Sequence, residues 1–237
     1  MSPMSERLDE IHQRLAAATA RSGREPGAVR LLAVSKGQSP ERILELASRG
    51  QRDFGENYVQ EWLEKRARVA ALDPELAATL RWHFIGHLQS NKAAQIAGQV
   101  FLLHSVDSLK LARKLSAVCQ SRGATQPALL EVNLGGEASK GGLEAGALLR
   151  ELRDYAALPG LAWRGLMAIP PALEPAEAVR PYFRRLKSLL DECNRTGFFQ
   201  DPMTELSMGM SQDFEVAVEE GATWVRVGTA LFGPRQP

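Results

Sequence analysis

Short apolar or alternating runs recur along the chain, and segments with helical period separate them. The runs at 29–35, 52–55, 82–86, 100–106, 128–134, 162–169, 205–208 and 223–228 are predicted strands. Several are rich in β-branched residues, as strands covered on both faces of a parallel sheet are. Between them, Pro40–Ser48 places Ile43, Leu44, Leu46 and Ala47 on one face, with Ser39 as N-cap, Pro40 at the first helical position and Gly50 as a stop. Leu109–Ser121 repeats the pattern with Leu111, Leu115 and Val118, and 175–195 repeats it with Val179, Phe183, Leu186 and Leu190. Phe214, Ala217 and Val218 mark a short helix closed by Gly221, and a leading helix carries Leu8, Ile11 and Leu15. Eight βα repeats after one extra N-terminal helix predict an α/β fold, a single (β/α)8 TIM barrel over residues 1–237. The rival, an open doubly wound sheet, calls for a GxGxxG turn after the first strand, and none is present.

Length agrees, since 237 residues is close to the ~250 of one such barrel. The 29 Lys plus Arg nearly cancel the 28 Asp plus Glu, so no broad field draws nucleic acid or an anionic membrane. Any anion is therefore expected in a local site. Cys119 and Cys193 lie in helix-like segments without CxxC spacing and read as reduced structural thiols. Residues 1–18 are amphipathic and contain Glu6, Asp9 and Glu10, unlike a secretory or organellar leader. The expected setting is cytoplasmic.

In parallel barrels the working residues sit at the C-terminal ends of the strands. Here the first predicted strand ends in Ser35-Lys36, and the second runs into Gly55-Glu56-Asn57-Tyr58. The third reaches Gly86-His87-Leu88-Gln89, the fifth gives Glu131-Val132-Asn133, and the sixth gives Met167. The seventh ends in Ser207-Met208-Gly209-Met210-Ser211 and the eighth in Arg226-Val227-Gly228-Thr229. Lys36 shares parity with Leu32 and Val34. If that face lines the barrel, its amine sits in a partly desolvated mouth and can attack a carbonyl; the competing reading is a solvated lysine opening a loop. The small residues Ser207, Gly209, Ser211, Gly228 and Thr229 suit close approach to a phosphate, which barrels often bind after the seventh and eighth strands. Ser211 also reads as an N-cap for the helix carrying Phe214. Arg226, opposite in parity to Val225 and Val227, would meet a ring nitrogen or carboxylate if it points inward. His83 and His87 share a strand face but lack a Cys, Asp or Glu at metal-site spacing, so packing or hydrogen bonding is expected of them and no metal.

Seven motifs, in order and spanning nearly the whole chain, carry a resemblance. They are Ala33-Val34-Ser35-Lys36, Phe54-Gly55-Glu56-Asn57-Tyr58-Val59-Gln60-Glu61, His83-Phe84-Ile85-Gly86-His87-Leu88-Gln89-Ser90-Asn91-Lys92, Ala138-Ser139-Lys140-Gly141-Gly142, Gly165-Leu166-Met167, Leu206-Ser207-Met208-Gly209-Met210-Ser211 and Val225-Arg226-Val227-Gly228. The chain resembles the pyridoxal phosphate homeostasis proteins, a family related to the barrel domain of alanine racemase. The resemblance implies pyridoxal 5′-phosphate (PLP) as cofactor, held as a Schiff base on Lys36. It implies Ser207, Gly209, Met210, Gly228 and Thr229 around the phosphate, Asn57 and Met167 at the cofactor, and Arg226 toward the pyridine nitrogen. Lys140 resembles an additional lysine implicated in cofactor handling. One departure is Gln38, where a second lysine often stands, which puts a binding mode that uses that lysine in doubt.

A carrier that sequesters, buffers or delivers PLP is expected, without robust catalysis of its own. The alternative is a PLP-dependent racemase or decarboxylase. Racemisation needs acid and base on opposite faces of the reacting carbon, and related racemases supply the second group from an added domain that this chain is expected to lack. An Arg against the ring nitrogen also weakens the cofactor as an electron sink, although alanine racemase works with one. A Schiff-base aldolase would explain lysine and phosphate loops equally well but not the motifs. Apo forms of PLP-dependent enzymes are candidate partners, and a monomer is expected.

Overall fold

The structure is a computed structural model that describes residues 2–135 and 141–233. Eight strands form a closed parallel barrel: β1 (Arg30–Val34), β2 (Asp53–Glu56), β3 (Arg81–Phe84), β4 (Leu102–Val106), β5 (Gln126–Asn133), β7 (Leu161–Ala168), β8 (Glu205–Ser207) and β9 (Trp224–Val227). The pairing of β4 with β5 closes the ring, so the fold is a (β/α)8 barrel and the open sheet is excluded. All eight predicted strands are present. A two-residue strand, β6 (Leu143–Glu144), is additional and pairs with the end of β5 at Val132 and Asn133.

Helices surround the barrel. The leading helix α1 (Pro3–Arg21) buries Leu8, Ile11 and Leu15, and Ser2 caps it by accepting from the Ser5 N–H. Next come α2 (Pro40–Ser48) and α3 (Val59–Leu72), then the short α4 (Pro74–Ala78) and α5 (Ala93–Ile96). Farther on lie α6 (Leu109–Ser121), α7 (Ala145–Ala156), α8 (Arg180–Arg195), α9 (Phe214–Glu219) and α10 (Thr229–Phe232). The helix predicted over 175–195 begins at Arg180, after a single 3-10 turn at Ala176–Val179. Both cysteines are buried free thiols on α6 and α8, and burial raises the Cys193 thiol to about 11. Among the described residues, no helix is long and apolar enough to cross a membrane.

Two hydrophobic clusters follow strand parity. One faces outward, where Leu31, Ala33, Phe54, Leu103 and Val225 meet the helices. The other is a plug inside the barrel, built from Leu32, Leu102, Leu129, Met167 and Trp224 with Ile85 against it. It fills the lumen below the C-terminal mouth, so a ligand entering from that end meets a closed floor.

Candidate functional site

β1 carries Lys36 to the mouth. The Ser35 N–H donates to Gly55 O at 3.0 Å, extending the pairing with β2 beyond the strand. Leu32 faces the lumen, and parity turns half-buried Lys36 the same way. Gly37 follows at φ +70, a left-handed turn that glycine adopts without cost.

Behind the turn lies a buried ionic cluster. The Lys65 ammonium, on α3, donates to Ser35 O, Glu56 Oε1 and Glu61 Oε1, each at 2.7 Å. Glu61 Oε1 also accepts from the Gly37 N–H at 2.5 Å, and Glu56 Oε1 accepts from the Ser35 hydroxyl at 2.6 Å. The backbone is thus fastened on both sides of Lys36. Burial pushes the Glu56 carboxyl up, against the pull of Lys65.

Inside the barrel, polar side chains form a line beneath the mouth. Arg226 Nη1 donates to Ser207 Oγ at 2.8 Å, and Arg226 Nη2 donates to Ala168 O at 2.9 Å. Ser207 Oγ lies 2.8 Å from His104 Nδ1, and His104 Nε2 lies 3.0 Å from His83 Nδ1. His83 Nε2 lies 3.0 Å from Asp53 Oδ1. Burial lowers the pKa of both histidines and brings the Arg226 guanidinium down to about 10, so it is still a cation at neutral pH. Burial opposes charge on Asp53, but hydrogen bonds from His83 and Arg81 outweigh it and hold the carboxyl below its ordinary range.

The loops after β8 and β9 bring small residues to the mouth. Gly209 has φ +89, and a Cβ there would lie 2.5 Å from the Ala217 Cβ. Its carbonyl accepts from the Arg226 N–H at 3.0 Å, joining this loop to β9. Gly228 leads into α10, whose N-terminus has no side-chain cap, and a Cβ at 228 would lie 3.4 Å from the Val34 Cβ. Ser211 does not cap α9. Its Oγ accepts from the Ala230 N–H at 3.4 Å, while Asp213 takes the cap position and its carboxylate accepts from the Met210 N–H at 2.6 Å. Ser211 therefore ties the two loops together.

Lys36, Gly209, Met210, Arg226, Gly228 and Thr229 lie on strand ends or βα loops at one end of the barrel. Ser207 lies deeper, with its hydroxyl committed to Arg226 and His104. Met167 is in the lumen plug. Asn57 packs its backbone on Gly86, where a Cβ would come within 2.2 Å of Asn57 O. Across the barrel from β1, β5 presents Glu131, whose carboxyl is raised to about 7, first by burial and then by Asp107. Asp107 Oδ2 is 2.8 Å from His87 Nδ1. His87 lies past the end of β3, so the histidine pair read from sequence is divided: His83 points into the lumen and His87 joins the rim. Lys140 lies outside the described residues.

The sequence reading missed Asp53, His104 and Lys65. Only the buried polar positions within apolar strands, Asp53 before Phe54 and His104 after Leu103, could have signalled the first two.

The fit to a phosphorylated aldehyde rests on this geometry: an amine held at a half-buried mouth, a cation locked below it, and the small residues Gly209 and Gly228 in the loops that reach the mouth after β8 and β9. Residues 7–236 match the family model for the alanine racemase N-terminal domain. The pyridoxal phosphate homeostasis protein of Aquifex aeolicus is 46% identical over 98% of both chains. The protein of the same name from Pseudomonas aeruginosa is 44% identical over 99% of this chain and 97% of its own length. Among solved structures, PipY of Synechococcus elongatus with PLP bound is 37% identical, covers 97% of this chain and 100% of its own, and superposes with a TM-score of 0.84.

Proposed function

The chain belongs to the pyridoxal phosphate homeostasis family, and on that premise we propose that it binds PLP at the barrel mouth, tethered to Lys36. It then serves cofactor homeostasis by sequestering, buffering or delivering PLP, with no robust catalysis of its own. The observation that carries this reading is the fastening of Lys36: Ser35 and Gly37, on either side, are tied to the Lys65–Glu56–Glu61 cluster. When bound, the cofactor supplies an aldehyde that condenses with a lysine amine, releasing one water. Lys36 provides that amine. Gly209, Met210, Gly228 and Thr229 line the phosphate end and Arg226 faces the pyridine nitrogen. Ser207 supports Arg226, Asn57 closes one side, and Met167 forms part of the floor. Lys140 is assigned a secondary part in cofactor handling by resemblance alone. Two buried thiols accord with a cytoplasmic setting.

A second reading, a PLP-dependent racemase or decarboxylase, is favoured by one observation. Glu131 faces the mouth across from β1 and holds its proton up to about pH 7, which suits a general acid.

Titration with PLP is expected to produce a near-ultraviolet or visible band that Lys36→Ala abolishes, and loaded protein is expected to reactivate an apo PLP-enzyme. A band of full strength in Lys36→Ala overturns the tether. Amino-acid turnover on the order of 1 s⁻¹ or faster overturns the carrier in favour of the enzyme.

A further inference from the structure

The buried line of side chains has a direction, and its Asp53 end dictates it. A guanidinium only donates, so Ser207 Oγ accepts from Arg226. A hydroxyl can accept twice, so the other end decides. The Asp53 carboxylate only accepts, His83 Nε2 donates to it, and with both imidazoles neutral His104 Nδ1 is left to accept the Ser207 hydroxyl proton. His104 therefore carries its proton on Nε2 and gives it to His83 Nδ1. His83 carries its proton on Nε2 and gives it to Asp53 Oδ1. Both imidazoles are neutral in this assignment, as their complete burial favours. Protonating His83 would turn its Nδ1 into a donor facing the Nε2–H of His104.

The surroundings hold the line in place. The Trp224 ring packs edge-on against His83 at 4.7 Å and His104 at 6.2 Å between centroids. At the far end Asp53 Oδ2 accepts from Arg81 Nη2 at 2.5 Å, so the terminal carboxylate is paired. Each link has one donor and one acceptor, and no member can turn without breaking its neighbour's bond.

We infer that His104 and His83 are positioning residues for Arg226: through Ser207 they anchor the guanidinium, by a line that crosses the lumen from β8 to β4, to Asp53 on β2. The inference rests on the proposed function, in which Arg226 meets the ring nitrogen of PLP. A donor-only group held there obliges the ring nitrogen to accept and keeps it unprotonated. Without His104, the Ser207 hydroxyl has no acceptor below it, and Arg226 gains a second orientation. The ring nitrogen is then free to take a proton from water.

Two nitrogen NMR measurements test this. In the full chain without cofactor, two histidines are expected as neutral Nε2–H tautomers that do not titrate between about pH 8 and about pH 6. An Nδ1–H tautomer at either core histidine overturns the chain. With PLP labelled at the pyridine nitrogen, the wild-type resonance is expected at the neutral-pyridine position throughout that range. His104→Leu is expected to move it toward the pyridinium position as pH falls. His104→Gln can accept from Ser207 and donate to His83, and is expected to restore it. Ser207→Ala breaks the same line and serves if His104→Leu fails to fold. A ring-nitrogen resonance unchanged in every folded variant overturns the inference and leaves cofactor binding standing. No bound cofactor in wild type overturns both.

Discussion

A buried ammonium is tolerable only if its protons are accepted, and Lys65 has one acceptor for each of its three. Lys65→Met is expected to cost about 3–5 kcal/mol in urea unfolding, because Glu56 and Glu61 lose their shared cation. Adding Glu56→Gln should recover part of that loss, which a double-mutant cycle measures. Glu131 gives a pH signature. Its folded pKa, about 7, lies above the ordinary carboxylate value, so between about pH 4.5 and 7 the folded chain keeps a proton that the unfolded chain has lost. Its contribution therefore makes stability fall as pH rises through that window and level off above it. Glu131→Gln is expected to remove a fall of about 1–3 kcal/mol from the stability–pH curve. At this scale the sequence was only partly legible. Lys36 and Arg226 follow from parity at strand ends. His104 and Asp53 do not, because their partners lie on other strands, distant in sequence, and only the strand register and barrel closure bring them together.

The loop after β8 couples two elements through one glycine. Gly209→Ala forces a left-handed alanine whose Cβ meets Ala217 on α9. The expected cost is about 2–4 kcal/mol, read as a lower Tm, with weaker PLP binding because the loop cradles the phosphate. The barrel strands were legible as short apolar runs bounded by polar ends. β6 was not, since Leu143–Glu144 is too short for any period. The start of α8 was misplaced because Val179 fits the helical stripe while residues 176–179 form a 3-10 turn. Ser211 looked like a cap from local sequence, but α10 supplied its hydroxyl with a different partner.

At the scale of the whole molecule, eight strands close on a solid plug and leave binding to the mouth. Ligand binding should then appear as global stability. PLP at 100 times its Kd is expected to add about 2.7 kcal/mol, roughly 5–10 °C in Tm for a chain of this length. Lys36→Ala should show a clearly smaller shift, since phosphate contacts remain while the tether is lost. Repeat count and strand-end chemistry made this architecture legible from sequence. The ionic cluster behind Lys36 was not, because it joins Ser35, Glu56, Glu61 and Lys65 across three elements. The tether itself is tested most directly by borohydride reduction of the PLP-loaded chain, followed by peptide mass mapping. The account predicts one stoichiometric pyridoxyl adduct on Lys36; a principal adduct on any other lysine, or none at all, would contradict it.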